Sequence, residues 1–485
     1  MHWVVISIYG FSLLYIFLFS VAQLHLTWLY IRRKEKKDMK GRASAPTHPV
    51  VTVQLPVFNE RYVVERLIEA VSQLDYPKEK LEIQILDDST DDTTQIILKK
   101  IESLRALAMD IKLIHREHRR GYKAGALEEG LKIAKGDYIA IFDADFIPEK
   151  DFLYKTLPFF ADSQTGAVQT RWGHINKNYS LLTQLQAFAL DAHFSIEQTS
   201  RNSVGSFINF NGTCGVWRKS CIIDAGGWSS DTLTEDLDLS YRAQLNGWQF
   251  KYLEGIVTPG ELPVIMPAIK AQQYRWNKGG AETAKKIFGK VISARLSIQQ
   301  TLHAFFHLFN SSVFLCVLLA AISSVPMMLI SLVHPELDWM FSAGNILLAG
   351  FLSISLFYYV ATMQFNTRPL LHFLRLFPPF LFVSMGLSLH NGLAVAEGLM
   401  GFKTPFIRTP KFNIKQKGES WKNNVYIIPA LNLMTVFEGL LCLYFIGAII
   451  LGVCLGTYLM LVFHAMLAIG FGFVFYFSVK PLTHA

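Results

Sequence analysis

Hydrophobic residues fall along this chain in two regimes, long charge-free blocks towards its ends and short apolar runs between polar turns in its first half. Residues 3–31 contain no Asp, Glu, Lys or Arg, and the block closes on Arg32-Arg33-Lys34-Glu35-Lys36-Lys37-Asp38-Met39-Lys40. That length and that cationic edge predict a spanning helix with a cytoplasmic exit. A signal peptide fits less well, because there is no basic n-region and no small-x-small cleavage site.

From Val50 the pattern changes. Apolar runs at 51–55, 82–86, 111–114, 138–142 and 167–170 predict strands, with helices from about Glu60, after Asp92 and over 123–134. Such alternation gives a mainly parallel sheet, whose ligands sit beyond the carboxyl ends of its strands. Polar clusters fall at those ends: Pro56-Val57-Phe58-Asn59-Glu60, Asp87-Asp88-Ser89-Thr90 and Asp143-Ala144-Asp145. They are expected to converge on one cleft, with Asp92 capping the helix that follows it.

After Gly279-Gly280 a basic amphipathic stretch leads into a charge-free block at 296–335, read as one span with Gln299 and Gln300 near its entry. A second block at 340–366 makes the return pass. Residues 376–396 are apolar but carry Pro378-Pro379, Ser384, Ser388, His390 and Asn391. The loop at 403–422 holds Lys403, Arg408, Lys411, Lys415, Lys417 and Lys422, so it belongs on the cytoplasmic side. Residues 372–400 are therefore read as interfacial or re-entrant. Residues 425–479 carry one charge, Glu438, and predict a hairpin of two helices turning near 452–456. The organisation expected is a transmembrane helix at 1–31 and a cytoplasmic α/β domain at 45–290. Then follow an interfacial helix with two spans at 291–366, an interfacial or re-entrant helix with a loop at 367–424, and two spans at 425–480, five spans in all.

Composition sharpens this picture. The chain is 51% hydrophobic with 46 Lys+Arg against 38 Asp+Glu, a net charge of +8. Much of the excess borders apolar blocks, which favours membrane lipids and anionic phosphates as partners over nucleic acid, for which no basic helix or stacking motif is present. Lys99-Lys100 and Lys285-Lys286 read equally well as solvated surface. The five cysteines, Cys214, Cys221, Cys316, Cys442 and Cys454, show no Cys-x-x-Cys spacing, and His303 and His307 lack a third ligand, so neither zinc nor a disulfide framework is expected.

The strand-end acids suggest chemistry on a diphosphate. An Asp-x-Asp pair offers the hard oxygens that Mg²⁺ or Mn²⁺ takes, making Asp143 and Asp145 candidate metal and diphosphate ligands. Lys123 in Gly121-Tyr122-Lys123-Ala124-Gly125 and Arg275 would supply fixed positive charge, and Asp88 lies where a nucleoside would bind. No glycine-rich dinucleotide fingerprint or Walker loop is present. Trp276, in Gln272-Gln273-Tyr274-Arg275-Trp276, offers an aromatic face to a sugar. Thr234-Glu235-Asp236-Leu237-Asp238 opens an amphipathic helix. There Asp236 is a candidate general base, held ionised by the helix N-terminus, but the same residues read equally as a capping cluster with Thr234 as N-cap.

Taken in order, Gly121 to Leu127, Ile141-Phe142-Asp143-Ala144-Asp145-Phe146, Phe210-Asn211-Gly212-Thr213 and Gln273-Tyr274-Arg275-Trp276 resemble the family 2 inverting glycosyltransferases of the cellulose synthase superfamily. The likeness is greatest to the cellulose-synthase-like mannan and glucan backbone synthases. The resemblance implies a GT-A fold inserted between transmembrane helices. It also implies that Asp236, with Glu235, carries the catalytic step, and that Pro56, Glu60, Asp88, Lys123, Asp143 and Arg275 hold a nucleotide-sugar. Asn211, Gly212, Thr213, Gln272 and Trp276 would bind the acceptor glycan. Phe406-Ile407-Arg408-Thr409-Pro410-Lys411 is similar to the gating loop of bacterial cellulose synthase, with Arg408 where that loop has valine, and Thr409 and Lys411 would cover the donor diphosphate. No cyclic-di-GMP-binding barrel fits after Lys480, so control by that messenger is not expected.

The function expected is a processive β-glycosyltransferase in a plasma or inner membrane that extends a hexose polysaccharide from UDP-glucose or GDP-mannose and passes it across. The alternative is a glycolipid synthase adding one sugar to a lipid, and a catalytically silent scaffold or transporter is a further reading. The sequence names no secretion partner.

Overall fold

A computed structural model describes residues 2–33, 48–105, 109–334, 346–427 and 431–484. The cationic run expected to follow the first helix lies, from Lys34 on, outside the described residues.

The soluble part is built on a seven-stranded sheet: β1 (Val51–Val57), β2 (Leu81–Asp87), β3 (Asp110–His115), β4 (Tyr138–Ile141), β5 (Thr165–His174), β6 (Gly215–Arg218) and β7 (Gln249–Gly260), in the order β3-β2-β1-β4-β6-β5-β7. The first four strands are parallel. β6 runs antiparallel to both its neighbours, and β5 pairs with β7 in parallel. β1 and β2 are covered on both faces, but only one face is apolar; on the other, Thr52 donates to Glu82 Oε2 at 2.7 Å and Gln54 Nε2 to Gln84 Oε1 at 3.0 Å, so the buried polar side chains pair across the strands. Val64, Leu67, Ile97 and Ile101 pack on one side, and Leu127, Leu131, Trp217 and Leu239 on the other.

The expected strands all form, with shifted edges. The helix read from Glu60 starts only at Val64, since Val63 N and Val64 N both donate to Glu60 O at 3.0 Å, a tight turn that keeps Glu60 at the strand end. Before the helix Thr93–Arg105 the chain is turned by Asp91, which accepts from Thr93 N at 3.0 Å. The expected cap, Asp92, pairs instead with Arg61 at 2.7 Å.

Among the described residues, five helices are long and apolar enough to cross a membrane: His2–Arg32, Ser312–Val333, Pro369–Gly386, Leu433–Cys454 and Leu461–Leu482. These are not the five expected: in the block read as the return pass, whose residues 340–345 lie outside the described residues, Leu348–Met363 is apolar but shorter, whereas Pro369–Gly386, read as interfacial or re-entrant, is long enough to cross. The charge-free block at 296–335 is not one helix. Ser297 caps a separate helix, Ile298–Leu308, through a box with Gln300, and Gln300 also donates to Gly205 O at 2.9 Å, tying that helix to the sheet domain. The apolar stretch after Arg368 is likewise two helices, Pro369–Gly386 and Ser388–Met400, joined at Leu387. The long helix Met266–Ser293 carries the Gln-x-x-Arg-Trp residues and links the sheet domain to the apolar helices.

Candidate active site

Two adjoining cavities open at the carboxyl ends of β1, β2 and β4, of about 610 and 830 Å³. They share Lys123, Asp143, Asp145, Arg275, Phe406 and Lys411. The smaller is bounded by Pro56, Glu60, Asp88 and Thr409 and the larger by Asn211, Gly212, Glu235, Asp236, Gln272 and Trp276. The expected convergence of strand ends on one cleft is what the sheet produces.

At the seam, Lys123 Nζ donates to Asp143 Oδ1 at 2.6 Å and to Gly212 O at 2.9 Å, and lies 3.9 Å from Glu235 Oε1. Burial by itself lowers the Lys123 ammonium, but Asp143, Glu235 and Asp236 outweigh it and leave it raised. Its position depends on the glycines around it. A Cβ at Gly125 would lie 2.1 Å from Arg120 O, so the turn leading into the helix Tyr122–Ile133 closes only over glycine. Asp145 Oδ2 accepts from Lys411 at 2.6 Å. Two carboxylates flanked by ammonium groups are a donor set suited to Mg²⁺ or Mn²⁺, which takes few protein oxygens and completes its shell with phosphate and water.

The loop after Gly401 closes this side. Arg408 forks onto both oxygens of Glu60 at 3.0 and 2.6 Å, and Arg275 donates to Thr409 Oγ1 at 2.8 Å. The Phe406 ring stacks on Tyr122 and lies under the guanidinium groups of Arg275 and Arg119, at 4.6 and 5.2 Å. The residue that departs from the bacterial loop, Arg408, thus has a partner of its own. Burial raises Glu60 despite Arg408, and burial lowers Arg275 against the pull of Glu235, Asp143 and Asp145.

Glu235 and Asp236 open the helix Glu235–Leu245. The capping reading holds in part: Thr234 is the N-cap residue but its hydroxyl meets Thr283 at 3.0 Å, while Asp236 Oδ1 accepts from Leu237 N at 2.9 Å in the first turn. Glu235 turns to Lys123, whereas Asp236 faces Gly212, whose hypothetical Cβ would sit 3.0 Å from Asp236 Oδ2. Gly212 has φ +76°, so both its backbone and its missing side chain give Asp236 room. Burial first, then the Glu235 charge, raises the Asp236 carboxyl to about 7, so the helix N-terminus does not hold it ionised as expected.

Asn211 is gripped at both ends. Its Oδ1 accepts from Gln198 at 2.7 Å, and its Nδ2 lies 3.4 Å from His193 Nε2, while His193 Nδ1 meets Glu197 at 2.9 Å. The buried Thr213 side chain accepts from Asp143 N at 2.8 Å and so fixes the Asp-x-Asp turn. Asp88 is held by Arg116 through two 2.6 Å bonds.

Several residues here were not singled out in the sequence. Trp172, whose ring lies 6.3 Å from that of Trp276, lies two residues before the end of β5, just past the 167–170 run, where the strand-end rule that found the acids would have reached it. Arg116 and Arg119 follow β3 by the same rule. Glu261 had no local signal, yet it accepts from Phe412 N and Ile414 N at 3.0 and 3.2 Å and anchors the loop.

The sequence profile of glycosyl transferase family 2 matches residues 52–222, and that of glycosyl transferase family group 2 matches residues 138–384, just over half the chain. The chain belongs to glycosyl transferase family group 2. It is 44% identical over 267 residues to a probable glucomannan 4-beta-mannosyltransferase 11 of Oryza sativa, covering 54% of this chain and 47% of that one. It is 38% identical over 306 residues to glucomannan 4-beta-mannosyltransferase 9 of Arabidopsis thaliana, covering 60% and 57%. The chain thus spans about half the length of the curated relatives it matches. Among solved structures it is similar to a mannosyltransferase of Pyrobaculum calidifontis, solved with GDP-Man and Mn²⁺, at a TM-score of 0.53 and 19% identity over 74% of this chain and 98% of that one. That likeness establishes the GT-A fold.

Proposed function

We propose that this family member is a membrane-embedded, processive, inverting β-glycosyltransferase that extends a hexose polysaccharide and passes it through its own helices. The observation that carries the reading is the seam between the two cavities, where the Lys123–Asp143 pair and Arg275 stand between a nucleotide-sized space and a space floored by Trp276 and Asp236. Asp88, with Pro56 and Glu60 beside it, receives the nucleoside. Lys123, Arg275, Thr409 and Lys411 stabilise the leaving diphosphate, and Asp143 and Asp145 would hold Mg²⁺ or Mn²⁺, whose charge would help neutralise it. Trp276 and Trp172 stack the terminal acceptor sugar, with Asn211, Gly212 and Gln272 at its edge and Thr213 holding the turn beneath. Asp236 takes the proton of the attacking hydroxyl, and Glu235 balances Lys123.

The names of the relatives favour GDP-mannose over UDP-glucose as donor, and the Mn²⁺ and GDP-Man of the structural neighbour support a metal-dependent reaction. The five apolar helices and the basic loop support a multi-pass protein with its catalytic domain on the cytoplasmic side of a plasma or inner membrane.

The test is incubation of the detergent-purified chain with radiolabelled GDP-mannose or UDP-glucose and Mg²⁺ or Mn²⁺, followed by sizing and mannanase or glucanase digestion. A large, mannanase-sensitive product is expected from GDP-mannose. A single sugar retained on lipid would replace this reading with the glycolipid synthase, and no turnover of either donor would favour a silent scaffold.

A further inference from the structure

Strand β5 ends in Arg171-Trp172-Gly173-His174. Over its last three residues it pairs in unbroken register with β7, Trp172 opposite Thr258, Gly173 opposite Pro259 and His174 opposite Gly260. Trp172 and His174, two residues apart, therefore stand on one face of the strand. Both line the larger cavity with Asn211, Asp236 and Trp276. Gly173 faces the other way, where a Cβ would lie 2.7 Å from Val257 Cγ1.

The His174 side chain is 4% exposed. Its Nε2 is sealed from solvent and lies 3.3 Å from Asp191 Oδ1 without an aligned hydrogen bond. Among the described residues neither of its ring nitrogens is hydrogen-bonded. By contrast, His303 meets Ser206 at 2.8 Å and His25 at 3.2 Å, and His307 meets Tyr241 at 2.9 Å and Asn209 at 3.1 Å. Buried His464 has one nitrogen engaged, 2.9 Å from Ser324 Oγ. An enclosed imidazole without a partner costs stability unless something in the cavity supplies one.

We propose that His174 is an acceptor-binding residue, whose imidazole hydrogen-bonds a hydroxyl of the sugar that stacks on Trp172. This rests on the larger cavity being the acceptor site. With Nε2 turned to Asp191, Nδ1 is the nitrogen left for a ligand. A hydroxyl both donates and accepts, so it suits that nitrogen whichever one carries the proton. The strand holds the two side chains in fixed relation, Trp172 for the face of the sugar and His174 for its edge.

The detergent-purified full chain is titrated with β-1,4-mannotetraose or cellotetraose in the presence of GDP or UDP, and binding is read by calorimetry. His174→Phe keeps a ring and removes both nitrogens. Its affinity for the oligosaccharide that wild type binds is expected to fall about tenfold, the scale of one lost hydrogen bond. His174→Asn, whose amide stands near the place of Nδ1, should recover most of that loss, and nucleotide affinity should be the same in all three. Equal oligosaccharide affinity in wild type and His174→Phe overturns the proposal while leaving the acceptor role of the cavity intact. A parallel loss of nucleotide affinity, or no recovery in His174→Asn, overturns it too, since either marks a packing role. Binding of neither oligosaccharide by wild type overturns the acceptor site itself and the proposal with it. If His174→Phe does not fold, a structure of wild type with the oligosaccharide decides. A sugar oxygen within about 3.2 Å of a His174 nitrogen supports the proposal, and none there overturns it.

Discussion

Glu235 and Asp236 are neighbours in sequence but face different partners, Glu235 the Lys123 ammonium and Asp236 the gap left by Gly212. Asp236→Asn keeps that shape but cannot accept a proton, so transfer should fall by roughly 10²–10⁴-fold. Donor affinity, measured by calorimetry, should be unchanged; a variant that lost donor binding as well would move Asp236 out of the base role. The pH dependence follows from the raised carboxyl. A base whose pKa is about 7 is increasingly protonated as pH falls below that value, so kcat/KM should drop on the acid side and level above it. Glu235→Gln removes a charge that raises Asp236, and the acid limb should move to lower pH. A limb that stayed put, or moved up, would show another group titrating. Gly212→Ala should slow transfer, because it strains a positive-φ residue and brings a methyl to the base. Leaving kcat intact would argue against the tight fit. Much at this scale was legible in the sequence, since Asp-x-Asp, Lys123 and the Trp276 pair are local patterns. Glu261 and the His193–Glu197 support of Asn211 were not, because their partners are far away in sequence or gain meaning only once the chain folds back.

Elements were legible where one period dominates, as in the first four strands and the first helix. They were misread where several helices share one apolar block, since hydropathy is blind to the capping box at Ser297 that divides 296–335. One long-range link binds these helices to the catalytic chemistry. Glu438, the one charge in 425–479, lies 2.7 Å from Lys270 on the long helix that carries Arg275 and Trp276, with both side chains buried. Such a pair adds little net stability, but breaking it leaves an uncompensated charge. Glu438→Gln should therefore cost about 3–5 kcal/mol, while Lys270→Met/Glu438→Met should recover most of that. Unfolding midpoints in detergent read both. Equal damage from the single and double variants would mean that the pair itself, rather than the removal of stranded charge, is what matters.

For the whole molecule, we propose that 369–400 is re-entrant, although Pro369–Gly386 is long and apolar enough to cross, because of what its ends touch. Before it, Phe365 lies under Arg171 of β5 at 4.5 Å, and after it Thr404 accepts from Lys278 at 2.7 Å, beside the active site. The two helices between therefore leave the catalytic domain and come back to it. The Leu433–Cys454 helix does the opposite. It is fixed near its start by Glu438, and its sixteen further residues, at about 1.5 Å each, carry Cys454 roughly 24 Å away from Lys270. Cys454 is exposed, whereas Cys214, Cys221 and Cys316 are buried. In sealed vesicles a membrane-impermeant maleimide should label Cys454 only from the side opposite the catalytic domain. In a Cys454→Ser background, Thr367→Cys and Ser420→Cys should both label from the catalytic side. Thr367→Cys labelled from the Cys454 side would make Pro369–Gly386 a full crossing, and the helix pair could then not be a re-entrant cap on the acceptor path.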